Sequence, residues 1–185
     1  MASVKWTLAH LVTRPEVQEK LHRELTGNHR NGQISDKRLR DMSYLRAVIL
    51  ESLRLHPPLP LLVRDVGPDG AAAARTAPPP PDCMTVRFLL DTEEVGRNPK
   101  VWTDPNEFRP ERFLVGGAGR RYCPGAGLSR IHVGCFVAAL VREFEWAPPA
   151  DGGGGVDLTA TTALFVKVMA SPLRARVMPR HMSQA

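Results

Sequence analysis

One cysteine is placed to do chemistry. Cys123 lies inside Gly-Gly-Ala-Gly-Arg-Arg-Tyr-Cys-Pro-Gly-Ala-Gly, residues 116–127. The run that follows, 128–141, is nearly all apolar and predicts a buried helix. The loop therefore delivers Cys123 to a helix N-terminus, where free amides and the positive dipole end favour a thiolate over a thiol. Gly119 and Gly125 on either side allow a tight bend and a close approach to something flat and bulky. Pro124 removes one donor and stiffens the turn after the cysteine.

Competing readings of this stretch are weaker. An isolated cysteine near a helix start is usually a buried, inert thiol, and Cys83 and Cys135 fit that description. A Cys123–His132 nucleophile pair is conceivable, but no third group supports it, and His132 reads as a packed histidine. The glycines form no G-x-G-x-x-G and no Gly-Lys-Ser/Thr follows, which argues against a phosphate cradle. Three cysteines without CxxC spacing argue against a disulfide framework and a zinc site, and suit reducing surroundings. A net charge of +6 over 185 residues leaves nucleic acid, an anionic membrane and an acidic protein open as partners. The arginines are not interleaved with aromatics as on an RNA-binding face. No apolar run is long enough to span a bilayer.

The elements that must position the loop are mostly helical. Residues 2–27 predict one or two amphipathic helices, with Leu8, Leu11 and Val12 on one stripe and Val17, Leu21 and Leu25 on another. Thr13 with Glu16 has the capping-box pattern, Pro15 suits a first turn and Gly27 a stop. Residues 28–33 are a polar loop. Ser43 is the expected cap of a helix over 44–55, ended by Pro57-Pro58. Glu51 and Arg54 in that helix, taken alone, are an ordinary solvated pair at i, i+3. Residues 57–64 should be extended, 67–83 are loop or polyproline-like, and 85–89 could be a strand. After a Gly-rich turn at 151–155, strands over 164–169 and 173–177 are expected to form a hairpin turning at Ser171-Pro172, with a disordered tail over 179–185.

Four strings in one order carry a resemblance. They are Glu51-Ser52-Leu53-Arg54, His56-Pro57-Pro58, Pro110-Glu111-Arg112-Phe113 and Gly119-x-Arg121-x-Cys123-x-Gly125. In that order they resemble the cytochromes P450, over about residues 6–177. The implied fold is mainly α with small β-sheets, the C-terminal portion of the P450 fold, incomplete: a single partial domain over 1–185. Its parts are helices 2–27 and 44–55, loop 67–83, the Pro-Glu-Arg-Phe segment 96–113, the haem-thiolate loop with its helix 116–143, and a hairpin 164–177. The strings Thr13 to Gln18 and Val95 to Trp102 are most similar to the plant cytochrome P450 89 group.

The resemblance implies that Cys123 is the thiolate ligand of a haem b iron. It makes Arg121 a propionate partner, with Gly119 and Gly125 shaping the loop. It gives Arg64 a second propionate, although an arginine ending a surface strand reads equally well. It also implies a buried triad of Glu51, Arg54 and Arg112 that holds the loop without doing chemistry. The implied activity is monooxygenation, the insertion of one oxygen atom into a small apolar substrate. Electrons would come from NADPH-P450 reductase on the cytosolic face of the endoplasmic reticulum membrane. Three departures stand against activity. Gly116 occupies the place of the family's phenylalanine, the segment between Phe113 and the loop is short, and the oxygen-handling helix and membrane anchor would precede Met1. The competing expectation is a truncated, non-catalytic fragment that does not hold haem stably, soluble in the cytosol.

Overall fold

A computed structural model describes residues 2–27, 36–66, 86–114, 125–150 and 155–180. Two helices open the chain, α1 (Ala2–Thr13) and α2 (Pro15–Thr26), and a short α3 (Asp36–Asp41) precedes α4 (Ser43–Leu55). Next come strands β1 (Leu61–Val66) and β2 (Val86–Asp91), helix α5 (Thr92–Arg97) and a 3-10 turn over Pro110–Phe113. The long helix α6 (Ala126–Glu143) leads into β3 (Phe144–Ala147), β4 (Ala160–Ala163), β5 (Val166–Met169) and β6 (Arg176–Pro179). The fold is therefore mainly helical, with three two-stranded sheets among the described residues, as the resemblance implied.

One apolar cluster joins the helices. Val17, Leu21 and Leu25, spaced i, i+4, i+8, place the buried stripe of α2 against Leu45, Val48 and Ile49 of α4 and Val137, Ala138 and Val141 of α6. The buried stripe of α6 is narrower than its composition predicts. Gly134, Val137, Ala138 and Val141 are buried, whereas Leu128 and Phe136 are 62% and 50% exposed. Leu128 and Phe136 thus lie off the stripe that packs on α2 and α4.

Helix starts depart from the sequence reading in an instructive way. Thr13 donates its hydroxyl back to the His10 carbonyl at 3.0 Å, and Arg14 is the α2 N-cap, so the capping box does not form. Pro15 does occupy the first turn of α2. At α4 the N-cap is Met42 and Ser43 is already helical. The first amides of α4 instead donate to the carboxylate of Glu24 on α2: Tyr44 N–H to Oε1 and Leu45 N–H to Oε2, each at 2.8 Å. A full negative charge at the helix's positive end is a stronger partner than a hydroxyl dipole, and it ties two helices together.

The strands also pair differently from expectation. β1 and β2 form the antiparallel hairpin that the Pro- and Ala-rich stretch concealed, from Leu61 opposite Asp91 to Val66 opposite Val86; residues 67–83 and Cys83 lie outside the described residues. Asp91, its last residue, caps α5 by accepting from Glu93 and Glu94 N–H at 2.8 and 3.0 Å. The expected hairpin over 164–177 is overturned. β4 pairs with β5 across Leu164-Phe165, while β6 leaves them and pairs with β3, Phe144 opposite Pro179. Leu164 adopts φ 57° to make that turn, a conformation that Leu-Phe does not advertise.

Two buried polar groups close the packing. The Gln18 amide donates to the Leu11 and Trp146 carbonyls at 3.0 and 2.8 Å, and its oxygen accepts from Trp146 N–H at 2.9 Å. His10 of α1 and His56 at the end of α4 face each other with Nε2 atoms 2.9 Å apart. His10 stacks on Phe108 and His56 on Trp6, at centroid distances of 4.2 and 3.8 Å. One proton between two imidazole nitrogens suits two neutral rings. Burial is the main cause that pushes His10 down to about 3 and His56 down to about 4, helped by Arg14, Arg54, Arg97 and Lys167.

Two outcomes follow. Glu24→Ala should lower stability by about 1–2 kcal/mol, while Ser43→Ala should cost under about 0.5 kcal/mol, by urea denaturation. The second concerns pH. Below pH 6.5 the unfolded chain binds protons at positions 10 and 56 that the folded chain refuses, so stability is full above pH 6.5 and falls as the medium is acidified. Each histidine contributes a slope approaching about 1.4 kcal/mol per pH unit. Denaturation midpoints between pH 7.5 and 5, above the carboxylate range, should show it, with a weaker dependence in His10→Gln.

Candidate functional site

Glu51 is the most enclosed charge among the described residues, with no exposed surface. It lies one helical turn before Arg54 on α4, which puts both side chains on one face. Arg54 grips the carboxylate with two bonds, Nε to Oε2 at 2.7 Å and Nη2 to Oε1 at 2.8 Å. Arg112, from the 3-10 turn, donates Nε to Oε1 at 3.1 Å, and the backbone N–H of Arg109 donates to the same oxygen at 2.8 Å. One carboxylate thus joins two guanidiniums and a main-chain amide in a low-dielectric site, where charge-assisted bonds are strongest.

The remaining guanidinium donors bind main-chain carbonyls. Arg54 Nη1 donates to Gly96 and Pro105 oxygens at 2.6 and 2.7 Å, and Nη2 to Glu107 at 3.1 Å. Arg112 donates to the Thr103, Asp104 and Glu107 carbonyls at 2.8, 3.2 and 3.4 Å. Trp102 lies beneath both cations, 5.1 and 6.0 Å from its ring centre. The segment from α5 to the 3-10 turn is therefore pinned along its length. Close approach demands glycine at 96, because a Cβ there would lie 2.4 Å from the Arg54 carbonyl oxygen.

A second carboxylate holds the other side of the same turn. Glu111 Oε1 accepts from Lys20 Nζ of α2 at 2.7 Å and from the Tyr44 hydroxyl of α4 at 3.1 Å. Burial, with the nearby Glu111 charge, pushes the Tyr44 phenol far above its usual range. No sequence pattern marks Lys20 or Tyr44 as partners of Glu111, since they lie 91 and 67 residues away in the chain. Sequence reasoning missed this clamp, and it also missed the His10–His56 pair.

The loop residues stand differently. Gly119, Arg121 and Cys123 lie outside the described residues, with Gly116. Gly125 is the N-cap of α6, and no side chain caps that helix. The helix begins at Ala126, three residues beyond Cys123 in the sequence, and Gly125 has no side chain with which to cap it. Arg64 is in β1 opposite Phe88; its backbone place alone is described. Cys135 is a half-buried free thiol on α6, and His132 is exposed rather than packed. Among the described residues no group of three or more His, Cys, Asp or Glu side chains could hold a metal ion, and no helix is long and apolar enough to cross a membrane.

Comparison with known proteins accounts for this arrangement. The family model described as Cytochrome P450 matches residues 1–159. Cytochrome P450 89A9 of Arabidopsis thaliana is 36% identical, with 96% of this chain aligned to 38% of that protein. Cytochrome P450 78A3 of Glycine max is also 36% identical, with 96% of this chain aligned to 36% of that protein. A zebrafish cytochrome P450 solved with abiraterone superposes with a TM-score of 0.74 at 28% identity, over 97% of this chain and 44% of the other. The chain spans about 38% of the length of the curated plant relatives it matches. With a match that runs across most of its length, and with plant relatives of this similarity, this chain belongs to the cytochrome P450 family.

Proposed function

We propose that this chain forms the thiolate-bearing side of a haem-dependent monooxygenase, with Cys123 as the iron ligand. The observation that carries the reading is the braced 3-10 turn. The Glu51 triad and the Glu111 clamp fix Pro110–Phe113 on both flanks, and the chain enters the cysteine loop immediately afterwards. The start of α6 supports the reading as well, since its first amides carry the positive end of the helix dipole three residues after Cys123 in the sequence. Haem b, when bound, would supply oxygen activation, which a thiolate ligand favours by donating electron density. The chain's own residues then have limited tasks. Cys123 would ligate, Arg121 and Arg64 would each pair with a propionate, and Gly119 and Gly125 would let the loop lie close to the ring. Glu51, Arg54 and Arg112 would keep that loop in register. A small apolar substrate and electrons from NADPH-P450 reductase, at the cytosolic face of the endoplasmic reticulum membrane, complete the reading.

A second reading has its own support. Leu61, Leu62 and Val63 on β1 and Leu164 and Phe165 at the β4–β5 turn are between 45% and 92% exposed. Apolar side chains left open in this number suit a surface that another layer covers, and they favour a chain that keeps the P450 scaffold without holding haem stably by itself.

Two experiments decide. Haemin added to the purified chain, reduced and saturated with carbon monoxide, should give the long-wavelength Soret band of a thiolate ligand, lost in Cys123→Ser. A free-haemin spectrum unchanged by that substitution establishes the second reading. Independently of haem, Glu51→Gln should lower stability by about 3–5 kcal/mol, because two guanidiniums lose their buried carboxylate. Urea denaturation of the chain without haem measures it, and a loss under about 1 kcal/mol removes the triad from its bracing role.

A further inference from the structure

A cleft of about 630 Å³ lies between α3, α4 and the first half of α6, away from the triad. Its floor is apolar, with Leu39, Leu45 and Ile49 all buried and Ile131 half-buried. Arg40, Arg46 and Arg130 also line it. Arg40 and Arg46 are exposed and spend no side-chain hydrogen bond or ion pair on any described residue. No aspartate or glutamate is among the described residues that line the cleft. Arg40 and Arg46 thus gather positive charge over an apolar floor, with no carboxylate among the described lining residues.

The volume falls in the range of small-molecule sites, which are mostly apolar with a few placed polar groups. Guanidinium forks match the oxygens of carboxylates and phosphates, and an apolar floor takes hydrocarbon. We propose that this cleft binds a single-chain amphiphile with an anionic head, the head on Arg40 and Arg46 and the tail over Leu39, Leu45, Ile49 and Ile131. The site does not depend on Cys123 or on haem. An acidic amphipathic segment of another protein satisfies the same charges but wants a longer groove than a cleft of about 630 Å³.

The test is calorimetric titration of the full chain with laurate below its micelle concentration at low salt, beside dodecyl phosphate and dodecanol. Both anions should bind, and the neutral alcohol at least about tenfold more weakly, since a hydrogen bond to a charged group is involved. The double variant Arg40→Gln, Arg46→Gln should lose about tenfold in laurate affinity with an unchanged melting temperature. Gly127→Leu is the second variant. No atom of a described residue lies within 4 Å of where a Cβ at 127 would sit, so the added side chain should fill the cleft and abolish binding without unfolding the chain. Equal binding of laurate and dodecanol overturns the proposal. So does unchanged laurate affinity in both variants, or binding of a synthetic acidic amphipathic peptide with none of laurate.

Discussion

A carboxylate with no access to water is the constraint on which this structure turns. Glu51 carries a full charge in the interior, and burying it alone would be prohibitive. The chain meets that cost with two guanidiniums, each of which then brings its own desolvation problem. Their spare N–H groups are satisfied by carbonyls of Gly96, Thr103, Asp104, Pro105 and Glu107. The irregular segment after α5 therefore has a fixed course without regular secondary structure. Its carbonyls are the solvation shell of two cations. A segment of this kind is set by electrostatic satisfaction, and apolar packing supplies only the platform, α4 against α2 and α6.

The same logic explains why motif strings were legible while their surroundings were not. Glu51 and Arg54 share a helix face, so their pairing follows from spacing alone, and the resemblance supplied Arg112. Glu111, next to Arg112, carries an equally definite clamp, yet Lys20 and Tyr44 come from two other helices and no local pattern selects them. Pair contacts across 67 or 91 residues are decided by the packed fold. The mistaken caps have one cause too. Thr13 and Ser43 are the right residue types for local caps, but a carboxylate on a neighbouring helix outcompetes Ser43, and Thr13 turns back to close α1.

The strand errors are of another kind. Apolar runs at 164–169 and 173–177 look like neighbours because they are close in sequence and Ser171-Pro172 looks like a turn. The actual turn uses Leu164 in a left-handed conformation, and β6 is recruited by β3 some thirty residues earlier. The helix after the cysteine loop was legible in extent but not in burial, since an all-apolar sequence states that a helix could be covered and not which faces are covered here.

Gln18 has a bearing on how the chain is assembled. Its amide reads Trp146 much as a strand residue would, donating to one main-chain group and accepting from the other, and Arg180 reaches the same oxygen at 3.3 Å. Those partners are made 128 and 162 residues later. During synthesis, at roughly 5–20 residues per second, the Gln18 side-chain oxygen must therefore wait on the order of ten seconds for these partners. The first helices cannot be finished before the last strand exists. The final setting of α2 is therefore decided by groups far along the chain rather than by its own neighbours in sequence.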